Sequence, residues 1–443
     1  MLQDDIPVVC VNQDTSKSRK MPFKVMYNNK TAFWQQGGGW TYSISSIDLD
    51  KVKEKLVARP GNWEKEQPKK SKPEITKQTV KDQGFGKKYD DIASMSTEQK
   101  ISHLNLQKTK LNDLFVKKAR DREIIAEALV ESTSDAAIIN HIALEEAMRL
   151  GDDEAKKQTQ ELVDSTHEMV KSSTYLFSED VFSDELVNEL VEKSNGTIVQ
   201  HMTRVFLNGI AFLSYYNKLV SSSSAINKIR ISFAAKYREY YQSLLPHIPP
   251  GNFTLERVFY KGMAAIPPDL FHKWSVGFLI HDIGKATAVE YHEGESEYNR
   301  DVVIEHVKIG YKSVMNKTNY PVEASLITGF HHEYYGDVSG YGYFRAYLEQ
   351  YKKEYPDVKQ EYCITYELEP ILGYRALAYF PAKVLEIVDV YDSITDPNRA
   401  YREPVNQTEA LALMRSEFIE KRHKIDPVIF DIYEAFIMDK IHL

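Results

Sequence analysis

From position 281 to position 389 the chain sets histidine and aspartate into one apolar run after another. His281-Asp282 follow WSVGFLI, His306 lies in VVIEHVKIG, His331-His332 close VEASLITGF, and Asp389 lies in KVLEIVDVY. Buried carboxylates and paired imidazoles are strongly destabilised unless a cation or hydrogen bonds satisfy them. Helices built from these runs must therefore face one another around something they share. Imidazole together with carboxylate suits first-row divalent metals such as Fe, Mn, Co or Zn. The ligands outnumber those of a closed tetrahedral structural site, so a second metal is expected, sharing a bridging carboxylate and a water with the first. Paired metals of that kind serve the attack of water on phosphate esters.

The formal charge, 56 − 64 = −8, does not advertise a nucleic-acid duplex as partner. A small anion remains an admissible ligand, because a local cluster of Lys, Arg and metal outweighs the global sign. Cys10 and Cys363 are too few for a disulfide framework, which suits a reducing cytoplasm. The N-terminus lacks the charged start and apolar core of a signal peptide. No apolar run approaches the roughly 20 residues of a membrane span. A cytoplasmic protein without a membrane partner is expected.

Residues 1–60 are expected to form a small N-terminal region with a β meander over 20–47, where FKVMY, TAFW and WTYSI are separated by Asn28-Asn29-Lys30 and Gly37-Gly38-Gly39. Residues 61–90 have the Lys/Pro-rich composition of a linker. Leu104, Leu111, Leu114 and Phe115, then Ile124, Ile125, Ala128 and Leu129, follow a helical period. Residues 91–185 therefore read as a helical regulatory or dimerisation region, through which a homodimer would form, or else as a packed extension of the helices over 186–443. Ser132-Thr133-Ser134 before Asp135 reads as a break and a fresh N-cap. The fold class expected overall is mainly α, a helical bundle over 186–443 with a small β-containing N-terminal region.

Taken alone, His201 on a face with Ile198, Met202, Val205 and Phe212 is an ordinary core histidine. The adjacent His281 and Asp282 point about 100° apart on a helix, so Asp282 can bridge two metals while His281 binds one. Gly284 permits a close approach of backbone or ligand, and Lys285, one turn after His281, is placed to hold a phosphate oxygen. Asp389 is the better ligand of its helix and Asp392 the residue behind it. His292, in the charged stretch EYHEGESEYN, reads as a loop residue.

The order H…HDIGK…H…HHE…GY…DxxD…RxYR resembles the HD-GYP family, bacterial phosphodiesterases of the HD superfamily that hydrolyse cyclic di-GMP. The resemblance covers about 186–443. It implies an HD-superfamily helical bundle whose metal ligands are His201, His281, Asp282, His306, His331, His332 and Asp389. It implies catalytic roles for Asp282 and Lys285, and substrate contacts from Lys285, Tyr341, Arg399, Tyr401 and Arg402. The cofactors it implies are two divalent metal ions, Fe or Mn first, with Zn, Co and Ni also admissible. The substrate would be a cyclic dinucleotide, cut to pGpG, with GMP as a further product, by a metal-bridging hydroxide. The alternatives are an HD hydrolase of another cyclic or linear nucleotide and a catalytically weak cyclic di-GMP-binding signalling protein.

The chain departs from the family pattern in four places. Gly340-Tyr341-Gly342 stands where the family has Gly-Tyr-Pro, which softens the loop that presents Tyr341. Thr197 stands where some members carry a Glu for a third metal. The stretch 218–265 is additional, with a lid as its expected form, and 344–370 (FRAYLEQYKKEYPDVKQEYCITYELEP) adds a second insertion beside the substrate loop.

Overall fold

The computed structural model describes residues 7–12, 18–22, 40–43, 86–117, 121–178, 198–285, 300–335, 339–343, 361–372, 376–396 and 405–438. The chain divides into two compact units, Met1–Glu74 and Ile75–Leu443. In the first, strands β1 (Pro7–Asn12), β2 (Ser18–Pro22) and β3 (Trp40–Ser43) form an antiparallel sheet in the order β2-β1-β3. WTYS is a strand, but the central strand PVVCVN precedes the range assigned to the meander, and a central β1 is not meander order. FKVMY and TAFW lie outside the described residues.

The second unit is mainly helical, as expected. It opens with α1 (Gly86–Ala93), which begins inside the stretch read as linker, then α2 (Thr97–Val116), α3 (Arg122–Ala147) and α4 (Asp152–Ser178). Ser96 starts α2 with a capping box, its hydroxyl accepting from the Gln99 N–H while the Gln99 side chain accepts from the Ser96 N–H. No break occurs at Ser132–Asp135. The cap of α3 is Asp121, which accepts from Glu123 and Ile124, and the helix runs unbroken through the serine cluster. Asp135 is buried and answered from other helices, by Lys88 at 2.6 Å, His103 at 2.8 Å and Gln107 at 2.7 Å. Those partners keep it from acting as a cap. Helices α2, α3 and α4 pack on one another, and α3 and α4 pack on helices that carry the site.

The helices carrying the site are α5 (Ile198–Ser221), α8 (Pro268–Ile280), α9 (Arg300–Lys317), α10 (Val322–Phe330) and α12 (Phe380–Thr395). Between α5 and α8 come α6 (Ser223–Leu244), a 3-10 turn (Pro250–Asn252) and α7 (Leu255–Val258). After α10 follow β4 (Glu361–Thr365), α11 (Leu368–Leu372) and β5 (Ala376–Tyr379), and after α12 come α13 (Gln407–Met414), a π-helical turn (Arg415–Glu420) and α14 (Pro427–Ile437). Proline at the first or second position starts α8, α12 and α14, where its missing N–H costs nothing. Helix α5 packs on α8 and α12, and α10 packs on α8, α9 and α12, so each helix that carries one of these histidines or aspartates touches at least one other.

The described residues of the two additional stretches contribute to the core. Phe233, Tyr241, Leu255, Val258 and Phe259 of the first are buried, as are Tyr362, Ile364 and Thr365 of the second. They also join each other: Phe259 bridges Ile364 in parallel, the Tyr260 N–H donates to the Ile364 carbonyl at 2.8 Å, and β4 pairs in parallel with β5. The expected lid over 218–265 is therefore absent among the described residues; Phe233, Tyr237, Tyr240, Tyr241, Phe253 and Phe259 are buried with the core. Among those residues no helix is long and apolar enough to cross a membrane.

Candidate metal centre

Helices α8 and α10 end at the centre in the same way. His281 is the C-cap of α8 and His331 the C-cap of α10. The last carbonyls of a helix lack intrahelical donors, and each histidine supplies one. His281 Nδ1 donates to the Phe278 carbonyl and His331 Nδ1 to the Thr328 carbonyl, both at 2.9 Å. Each ring thereby turns its Nε2 lone pair away from its own helix and toward the other ring, which stands edge-on at 5.3 Å. Two helix C-termini pointing at one place also favour positive charge there.

Asp282 lies between two sets of imidazoles. Its Oδ2 is 3.3 Å from His201 Nε2 and 3.6 Å from His281 Nε2. Its Oδ1 is 3.3 Å from His306 Nε2 and 3.8 Å from His331 Nε2. Asp389 spans the same division, with Oδ1 at 3.0 Å from His201 Nε2 and Oδ2 at 3.7 Å from His332 Nε2. His306 and His331 bring their Nε2 atoms within 3.4 Å of each other. Donor atoms of His201, His281 and Asp389 lie within 4.8 Å of one another, as do those of His306, His331 and His332, and those of His281, Asp282 and His331. All seven side chains expected as ligands are thus brought together, and all are buried.

Close packing holds these distances. A Cβ on Gly284 would stand 2.1 Å from the His306 carbonyl oxygen and 2.7 Å from the Gly310 nitrogen, so only glycine lets the HDIGK turn lie against α9. Behind His201, Asp392 accepts from Nδ1 at 2.7 Å and is gripped by Arg204, whose Nε donates to Oδ1 at 2.6 Å and whose Nη2 donates to Oδ2 at 2.9 Å. Arg204 Nη2 also reaches Asp396 at 2.9 Å. Asp392 is the orienting residue its position suggested. Arg204 was missed, although it stands three residues after His201 on the same helical face, and that spacing was the available signal.

Burial pushes the His281 imidazole down to about 3, and it lowers His306 and His332 as well, so these rings are neutral and carry lone pairs near neutral pH. Burial would raise the Asp282 and Asp389 carboxyls, but nearby positive groups win, Lys285 foremost for Asp282 and His201 for Asp389, and hold both well below the usual carboxylate range. His201 goes the other way. Desolvation lowers it, and its hydrogen bonds to Asp282, Asp389 and Asp392 outweigh that and lift it to about 10. A metal bound by His201 Nε2 would displace that proton.

These residues fit a divalent cation. His281 Nε2 and Asp282 Oδ1 are buried atoms without a hydrogen-bond partner, and both face the shared space. Two ligands about 2.1 Å from one ion stand roughly 3.0–3.4 Å apart in octahedral or tetrahedral geometry, close to the shorter separations here.

The expected substrate residues divide. Lys285 is paired with Asp282 Oδ2, and its side chain keeps 26% exposure at the edge of the centre. Tyr341 lies over His332, with ring centroids 4.5 Å apart at 33°. Its loop is pinned, not loose: the N–H groups of Tyr341 and Gly342 both donate to the His332 carbonyl, at 2.9 and 3.1 Å. A Cβ on Gly342 would stand 2.3 Å from a Glu333 carboxylate oxygen. A larger residue at 342 would therefore displace the Glu333 side chain, and Pro would also remove the Gly342 N–H. Arg399, Tyr401, Arg402, His292 and Thr197 lie outside the described residues.

Comparison with protein-family models, with curated proteins and with solved structures finds no match for this chain.

Proposed function

We propose that the chain is a metal-dependent phosphodiesterase of the HD-GYP type that hydrolyses cyclic di-GMP to pGpG, with GMP as a further product. One observation carries this reading: Asp282 turns each of its two carboxylate oxygens to a different pair of imidazoles, His201 with His281 and His306 with His331. A carboxylate so placed suits two cations side by side, and Fe or Mn suits the donor set best. His201, His281 and Asp389 would hold one ion, His306, His331 and His332 the other, with Asp282 between them. Two such ions supply an activated water and neutralise charge on a phosphodiester. The chain's own residues do the rest. Lys285 exchanges its contact with Asp282 for a non-bridging phosphate oxygen. Tyr341 offers its ring to a base, and Arg399, Tyr401 and Arg402 complete the phosphate and base contacts.

A second substrate, another cyclic or linear nucleotide, is favoured by the Tyr341 loop. Its Gly342 packs on Glu333, and Tyr335 stands edge-on to Tyr362 of the second insertion at 5.6 Å. Both features reshape the surroundings of a base. The deciding experiment offers cyclic di-GMP, cyclic GMP-AMP, cyclic AMP and dNTPs to protein loaded with Fe(II) or Mn(II) under reducing conditions. Formation of pGpG from cyclic di-GMP alone supports the first reading. Turnover of another nucleotide in its place selects the second, and no turnover of any defeats both.

A further inference from the structure

Three imidazoles of the centre are oriented through Nδ1 by groups of familiar kinds: a helix carbonyl for His281 and for His331, and a carboxylate for His201. His332 is oriented by a different device. Its Nδ1 lies 3.3 Å from the hydroxyl of Tyr334, two residues further along the chain. For so near a neighbour to reach back, the backbone must reverse, and Tyr334 sits at φ 42°, in the left-handed region that favours glycine.

A buried carboxylate holds that conformation. The Tyr334 N–H donates to Glu386 Oε1 at 3.1 Å, across from α12. Glu386 is fully buried, and its other oxygen is paired with Lys383, itself 2% exposed. The Tyr334 ring lies edge-on to His332 at 5.8 Å, and the Lys424 ammonium stands over it at 5.1 Å. The buried pair of Glu386 with Lys383, whose ammonium also stands over the Tyr335 ring at 5.5 Å, thus terminates on an amide of the turn after the HHE run.

We propose that Tyr334 and Glu386 are positioning residues for His332: Glu386 locks the turn, and the Tyr334 hydroxyl accepts the Nδ1 proton of His332, so that Nε2 faces the ion held with His306 and His331. The inference rests on the proposed two-ion centre and adds to it the residues that build one half. Nothing in the sequence joins Tyr334 to Glu386, since 52 positions separate them. Two charges three residues apart in the apolar run AKVLEIV were the available signal.

Mn(II) binding by the full chain tests this, with free Mn(II) counted by electron paramagnetic resonance. Wild type should take up two ions. Tyr334→Phe should hold the first as tightly as wild type and the second about ten-fold or more weakly, as expected for loss of a group that orients a ligand histidine. Glu386→Leu should show the same selective loss, and Glu386→Gln, which keeps an acceptor oxygen, should restore wild-type binding. Tyr334→Phe that binds both ions with wild-type strength overturns this proposal and leaves the two-ion centre standing. Wild type that binds no Mn(II) overturns the centre and this inference together.

Discussion

His281 and His331 face each other edge-on at 5.3 Å, each the terminal residue of its own helix and each bonded through Nδ1 to a carbonyl three residues back. A routine feature of helix ends, the unsatisfied carbonyl, here sets the tautomer of two ligands at once. The rest of the centre is assembled around that pair.

Asp282→Asn removes the charge shared by the two imidazole sets while leaving shape almost unchanged. The variant should lose at least one metal per chain and nearly all hydrolysis of cyclic di-GMP. Elemental analysis after anaerobic purification, alongside a product assay, checks both. Wild-type turnover by this variant would remove Asp282 from the chemistry.

Arg204→Met leaves Asp392 buried beside His201 without its bidentate partner. Breaking a buried pair of this kind costs about 3 kcal/mol, and loss of a group that orients a ligand weakens metal binding by roughly 10- to 100-fold. Denaturant unfolding of metal-free protein measures the first effect and chelator competition the second. A stable variant with unchanged metal affinity would show that Arg204 supports nothing.

Gly342→Pro introduces the Gly-Tyr-Pro of the HD-GYP family into this loop and should nevertheless impair this protein. The substitution deletes the N–H that donates to the His332 carbonyl and drives atoms into Glu333. The expected result is at least about a ten-fold fall in kcat/KM, equivalent to about 1.4 kcal/mol. Combining it with Glu333→Ala should recover part of the loss. An unimpaired single variant would mean that the loop tolerates the family residue.

His141, buried against Tyr89 far along the chain from the centre, should make the fold sensitive to acid. Burial lowers its imidazole from 6.5 to about 4. The unfolded chain therefore binds this proton first as pH falls. Stability is complete above about pH 6.5 and is lost down to about pH 4, up to about 3 kcal/mol in all. Chemical denaturation at pH 7 and pH 5, compared between wild type and His141→Gln, isolates the contribution. Equal losses in the two proteins would assign the acid sensitivity elsewhere.

The candidate ligand set was legible because each member interrupts an apolar helix, where an unsatisfied imidazole or carboxylate is costly. His281, Asp282, His306, His331, His332 and Asp389 announced themselves on that ground, and His201 joined them through the resemblance. The helical nature of 268–280, 322–330 and 380–395 followed from the same runs. The serine cluster before Asp135 misled, since the local cap signal is outweighed by Lys88, His103 and Gln107 arriving from two other helices. The two additional stretches looked like surface material for a related reason. Their aromatic residues find burial on distant parts of the chain, as Tyr366 does against Trp274 and Phe380 and Tyr241 does beside Asp426.

Residue order along the chain thus sufficed to say that imidazoles and carboxylates sit on buried helices, because burial cost is a property of each run alone. How those side chains are aimed depended on partners distant in the chain: Asp392 with Arg204 for His201, Gly284 against the His306 carbonyl, Glu386 beneath Tyr334. A hydrogen bond is specified by two atoms within about 3 Å, and only the packed fold brings such atoms together.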